Sequence, residues 1–101
     1  MNPINLNIAG DLFLGRRVET IAINNPDSLF DNEIKKLFSA SDFNIVNLES
    51  PLTNAGNKYK ILKTGPNLKA APETVGVLKS MNTTLVTLAN NHSYDFGDKG
   101  I

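Results

Sequence analysis

Asn90-Asn91-His92, followed by Asp95, gathers two amides, the sequence's only imidazole and a carboxylate into one short run. Amide and carboxylate oxygens suit hard divalent cations, and an imidazole either joins them as a ligand or moves a proton. The structural alternative is a loop histidine among asparagines that tolerate left-handed backbone angles. The apolar run Leu85-Val86-Thr87-Leu88 lies immediately upstream. Polar residues crowded directly after a buried strand favour chemistry over packing. Asp95 either orients the histidine from behind or caps a turn with Gly97.

Two earlier clusters repeat the pattern. In Gly10-Asp11-Leu12-Phe13-Leu14-Gly15-Arg16, Gly10 permits a sharp turn and Asp11 offers a carboxylate to a cation. Taken alone, Asp11 is better read as a turn cap. The two glycines imitate the spacing of a phosphate-binding P-loop, but Arg16-Arg17 stand where that loop needs Lys-Ser/Thr. In Asn47-Leu48-Glu49-Ser50-Pro51-Leu52, Asn47 and Glu49 share a face, since alternate strand residues do. A buried carboxylate there needs a cation or several donors. A surface glutamate before a proline turn is an equal alternative. Arg16 and Arg17 can grip an anion bidentately. Lys58, Lys60, Lys63 and Lys69 make residues 53–69 basic, which reads as a solvated face. The glycosylation patterns at Asn82 and Asn91 are frequent by chance and are discounted.

The elements that must hold these clusters follow from periodicity. Ile4, Leu6 and Ile8 alternate with Asn5 and Asn7, a strand that ends at Ala9-Gly10-Asp11. Phe30, Ile34, Leu37 and Phe38 fall on one helical face, with Asp27 or Ser28 as the expected cap. Phe43 to Leu48 is a second strand, and residues 53–69 are a long surface loop. Pro72 opens a helix continued by Val75, Leu78 and Met81, with Asn82 as a left-handed C-terminal cap. Thr84 to Leu88 is the third strand, and another helix is expected to begin near Asp98. Residues 12–27 carry no clear pattern beyond the turn signal Asn25-Pro26-Asp27. The fold class is therefore α/β, a β-α-β-α-β order whose strands are parallel and joined by right-handed crossovers. Ligands of such sheets bind beyond the carboxyl ends of the strands, where Asp11, Glu49 and Asn90-Asn91-His92 all lie.

Composition removes several classes. Ten basic and ten acidic residues leave no net charge, against the basic excess of a nucleic-acid binder. Recurring apolar segments, 41% of residues, argue against disorder. No window resembles a membrane span, and no basic stretch and apolar core mark a signal peptide. A soluble, cytoplasmic chain is expected unless an anchor lies outside it. Cysteine is absent, so any metal binds oxygen and imidazole. Residues 1–101 are expected to be the N-terminal part of a longer single domain, because Gly97-Asp98-Lys99-Gly100-Ile101 reads as a turn entering a helix.

The three clusters, in this order, resemble the bacterial capsule-synthesis family CapA, associated with poly-γ-glutamate. The residues that carry the resemblance are Gly10-Asp11 with Gly15-Arg16, then Asn47-Leu48-Glu49-Ser50-Pro51-Leu52, then Ala89-Asn90-Asn91-His92-Ser93 with Asp95 and Gly97. The family is related to calcineurin-like metallophosphoesterases, which implies a four-layer α/β/β/α fold and a dinuclear metal centre. By that resemblance Asp11 is the first metal-binding aspartate, and Glu49 occupies the place of a bridging aspartate. Asn91 and His92 match an Asn-His pair, one ligating metal and the other protonating a leaving group or steadying a phosphate. Asn47, Asn90 and Asp95 are supporting residues or alternative ligands. Two departures stand out: Phe13 lies where those enzymes have a histidine, and their later histidine ligands would fall beyond Ile101.

The expected activity is hydrolysis of a phosphoester or related anion in the complete protein. It would use a divalent cation (Mn, Mg, Fe or Zn) on Asp11, Glu49 and Asn91, with His92 as acid and Arg16 as anion clamp. The expected partner is an anionic small molecule or polymer, with no nucleic acid and no membrane segment. The alternative is a non-catalytic accessory that binds or exports an anionic polymer such as poly-γ-glutamate. A response-regulator-like domain, with Asp11 and Glu49 as one acidic pocket, gives Asn90-Asn91-His92 no role.

Overall fold

The computed structural model describes residues 2–101. Three strands form one sheet in the order β1 (Leu6–Leu12), β2 (Phe43–Leu48), β3 (Leu85–Thr87), and both pairings are parallel. The expected β-α-β-α-β order holds, with two additions. A helix unforeseen in the sequence, α1 (Glu19–Asn24), precedes α2 (Asn32–Ser39) in the first crossover. α3 (Val75–Ser80) makes the second crossover, and α4 (Gly97–Gly100) follows the third strand.

The helices share one side of the sheet, as successive right-handed crossovers in one direction require. Ala22 of α1, Phe38 of α2, and Val77 and Met81 around α3 pack with Val46 of β2, Leu14 and Ala70 into one core. The opposite side is apolar and open. Leu6 pairs with Phe43, and Ile8, Ile45 and Leu85 form the next row. Ile8 is 76% exposed and Leu85 52%.

Several local expectations are corrected. The cap of α2 is Asp31, whose carboxylate accepts from the Ile34 N–H at 3.0 Å, so Asp27 and Ser28 belong to a separate 3-10 turn and Phe30 precedes the helix. Only Phe38 of the expected face is fully buried, since Ile34 and Leu37 are exposed. The buried pair is Val77 of α3 and Met81 at its C-terminal cap, four residues apart, and Val75 is exposed. Asn82 does adopt the left-handed conformation, φ 55°. Strand β1 runs on through Leu12, with a bulge between Ile8 and Asp11, so Asp11 lies inside the strand. Residues 53–69 are not a plain surface loop, because Ala55 and Leu68 are buried.

The amino ends of the strands are tied by a polar knot centred on Asn44. Asn44, fully buried, donates to the carbonyls of Phe38 (2.7 Å) and Asn82 (2.9 Å), the C-terminal ends of α2 and α3. Its side-chain Oδ1 accepts from Asn7 Nδ2 at 2.8 Å. Buried amides persist only when each polar atom is matched, and here each is.

Candidate functional site at the carboxyl edge of the sheet

Asp11, Asn47 and Thr87 sit at corresponding positions on three neighbouring strands: Asp11 pairs with Asn47, and Asn47 with Thr87. Their side chains meet. Asn47 Nδ2 donates to Asp11 Oδ1 at 2.7 Å, while Asn47 Oδ1 accepts from Thr87 Oγ1 at 2.9 Å and from Asn90 Nδ2 at 3.2 Å. Asn90 Nδ2 also reaches the Leu48 carbonyl at 2.9 Å, and Asn90 Oδ1 accepts from the His92 N–H at 3.0 Å. One hydrogen-bonded path therefore runs from β1 across β2 to the turn after β3. Thr87 was not foreseen, although it lies two residues from Leu85 on the same strand face.

Behind this path lies a second, buried cluster. Asp95 is fully buried; its Oδ2 takes His92 Nδ1 and the Leu68 N–H, both at 2.6 Å. Its Oδ1 takes Lys63 Nζ at 2.6 Å. The Asp95 main-chain carbonyl accepts from the Ile61 N–H at 3.0 Å and Asn67 Nδ2 at 2.9 Å. Burial alone pushes the Asp95 carboxyl up, but hydrogen bonds from Lys63, Leu68 and His92 and the Lys63 charge outweigh it, so its pKa lies below the ordinary value. An ionised Asp95 can only accept, so the imidazole must present Nδ1–H to it and leave Nε2 facing outward. Asp95 thus holds His92, and its carboxylate does not cap the following turn: the Gly97 N–H bonds the Tyr94 carbonyl, and Gly97 has φ 62°.

Lys63 corrects the reading of a solvated lysine face, as does Lys69, whose ammonium donates to the Ala55 carbonyl at 2.6 Å and stands 5.1 Å over the buried Phe96 ring. No local signal betrays Lys63, because its partner is 32 residues away. The loop also abuts the first cluster. Gly15 is buried against the Lys69 carbonyl and the Phe13 ring, and any side chain there would collide with both. Arg16, next to it, is exposed in the left-handed region at φ 57°, a conformation unfavourable for a residue with a side chain.

The expected ligands differ in how engaged they are. Asp11 uses Oδ1 for Asn47, and its Oδ2 has no partner among the described residues. Glu49 is half-buried and Asn91 exposed, and the carboxylate of the first and the amide of the second make no hydrogen bond among the described residues. Asn47 and Asn90 instead use their amide oxygens as connectors. Among the described residues no three His, Cys, Asp or Glu side chains converge on one point. No described helix is long and apolar enough to cross a membrane.

Residues 5–101 match the family described as bacterial capsule synthesis protein PGA_cap. The chain is 36% identical over 99 residues to the PGA biosynthesis protein CapA of Bacillus subtilis (strain 168), covering 97% of this chain and 26% of that protein. It is 30% identical over 98 residues to the capsule biosynthesis protein CapA of Bacillus anthracis, covering 96% of this chain and 24% of that one. The chain thus spans about a quarter of the length of these curated relatives. Its parallel α/β arrangement is consistent with the metallophosphoesterase-like fold that the resemblance implies. The chain belongs to the bacterial capsule synthesis family PGA_cap.

Proposed function

We propose that the carboxyl edge of this sheet is the first half of a divalent-metal site, completed by further ligands in the whole protein, that hydrolyses a phosphoester or related anion during capsule synthesis. The carrying observation is the path from Asp11 through Asn47 to Asn90 and His92, which fixes three strand ends yet leaves oxygens of Asp11, Glu49 and Asn91 unengaged. Carboxylate and amide oxygens suit Mg, Mn or Fe, so the residues present fit such a cation. When bound, it would supply Lewis-acid polarisation and a more acidic water. Asn47 holds Asp11 in place, and Asn90 fixes the backbone on which Asn91 and His92 stand. His92 Nε2, aimed away from Asp95, is the atom available to move a proton. Arg16 and Arg17 supply fixed positive charge for an anion.

Treatment with chelator, metal replacement and assay of the whole protein on an aryl phosphate test this. Metal-dependent turnover is expected; a protein that binds no divalent cation and shows no turnover would sink the proposal.

A second reading is an accessory that binds an anionic polymer such as poly-γ-glutamate without cleaving it. Phe13 favours it, because it places a packed ring where the related phosphoesterases have a ligand. Calorimetry with the polymer on wild type and His92→Ala separates the two, since polymer binding that survives the substitution, with no turnover in either protein, selects the accessory.

The open apolar side fits the same whole-protein picture. Leu6, Ile8, Phe43 and Leu85 form a surface of the kind that a second sheet covers in a four-layer fold.

A further inference from the structure

Lys63 stands among the proposed working residues without belonging to their sequence cluster. Its ammonium lies 2.6 Å from Asp95 Oδ1, 3.4 Å from the Asn91 carbonyl and 3.5 Å from His92 Nδ1. The last distance is not a bond. Both nitrogens are donors to the Asp95 carboxylate, and 3.5 Å is the separation of two donors sharing one acceptor group.

Asp95 cannot perform its role alone. A carboxylate removed from water needs its charge matched and its lone pairs filled. Lys63 matches the charge and fills Oδ1, which leaves Oδ2 to His92 and the Leu68 N–H. The same ammonium reaches the carbonyl of Asn91, so it touches the backbone of one member of the Asn-His pair and the carboxylate that holds the other.

We infer that Lys63 is a positioning residue for Asn91 and His92, fixing the imidazole with Nδ1 toward Asp95 and Nε2 toward the open site. The loop of residues 53–69 is then part of the site's assembly: Ile61, Lys63, Asn67 and Leu68 all converge on Asp95. The inference rests on His92 being a working side chain, but its structural content does not depend on which reaction the site performs.

In the ¹⁵N-histidine-labelled whole protein, the His92 ring signals are assigned by their loss in His92→Gln. The wild type is expected to show a downfield, slowly exchanging proton on Nδ1. Lys63→Met and Lys63→Gln, with folding checked by circular dichroism, are expected to lose that proton; Lys63→Arg is expected to recover it. Asn67→Ala removes a neighbouring loop contact without touching the carboxylate and is expected to retain it. In the whole protein on an aryl phosphate, loss of Lys63 is expected to lower kcat by about 10–100-fold with KM unchanged, the scale for a residue that orients a ligand or acid. Three results would overturn the inference: an unchanged Nδ1 proton in a folded Lys63→Met or Lys63→Gln protein, equal loss in Asn67→Ala, or absence of rescue by arginine. Failure of both charge-removing variants to fold would also overturn it, since Lys63 would then be scaffold. An inactive wild type that still loses the Nδ1 proton on substitution would instead count against the proposed hydrolysis and leave the positioning role standing.

Discussion

The two ends of the sheet carry asparagine networks built from the same chemistry to different ends. At the amino edge, Asn44 binds Asn7 and the carbonyls of Phe38 in α2 and Asn82 just after α3, and every polar atom of its buried side-chain amide is matched. At the carboxyl edge, Asn47 and Asn90 join three strand ends in the same manner, but Asp11 Oδ2 and the side-chain oxygens of Glu49 and Asn91 accept no hydrogen bond among the described residues. A closed amide network is a stabilising device. An open one, bordered by an ionised buried aspartate, is the arrangement on which the proposed metal site rests. The presence of asparagine therefore says little, and the balance of donors and acceptors distinguishes the two edges.

The strongest way to break the contrast is Asp95→Ala. It leaves Lys63, the Leu68 N–H and His92 Nδ1 without their acceptor, and should cost about 4 kcal/mol, the scale for breaking a buried pair, read by urea denaturation. The same aspartate predicts an acid response. Its folded pKa is depressed, so its contribution is fully present above the unfolded value and is lost as pH falls through the folded one. Stability should drop below about pH 4, the ordinary carboxylate range, and Asp95→Asn should flatten that part of the profile. Asn44→Ala comes next, at about 2 kcal/mol, because it orphans buried carbonyls at the ends of two helices. It should leave metal affinity in the folded protein unchanged, and a loss of affinity would mean that the two edges are not independent.

Asp11→Asn sharpens the contrast from the other side. It keeps an acceptor for Asn47 while removing the charge, so stability should move by less than about 1 kcal/mol. Divalent-cation affinity, measured by calorimetry, should fall at least about tenfold, the lower bound for even an indirect partner of a metal. The smallest effect is expected at Arg16→Gly. Releasing the left-handed backbone should raise stability by up to about 1 kcal/mol, while inhibition by inorganic phosphate weakens. A gain in stability with unchanged phosphate inhibition would leave the strained arginine without a role in anion binding.

Much of this architecture was legible because it is local. Alternation in Leu6-Asn7-Ile8 and in Phe43 to Leu48, and the left-handed Asn82, each depend on neighbours in sequence. The placement of three clusters on one sheet edge follows from the parallel order alone. What escaped was non-local or interrupted. α1 spans only six residues, too short for periodicity to declare itself, and only Ala22 in it is buried. Lys63 resembles the three other lysines of its loop and differs only in meeting Asp95, a contact that exists after folding and not before. The true cap of α2, Asp31, competed with Asp27 and Ser28 nearby, and short-range preference cannot rank three good capping residues.

The bulge in β1 has a consequence for how this chain can diverge. Between the pairs Ile8–Ile45 and Asp11–Asn47, β1 advances three residues while β2 advances two. That extra step reverses the parity of everything after it: Leu12 turns to the core and Asp11 to the side of Asn47. Residues 9 and 10 thus act as a phase shifter between two otherwise separate reading frames, one for packing and one for polar groups. Substitution at Asp11 changes a donor and leaves the core in register, whereas loss of a single residue at Ala9 or Gly10 exchanges the two frames at once. Side-chain substitution at Ala9 or Gly10 is therefore expected to keep the register, and deletion of either residue to destroy it.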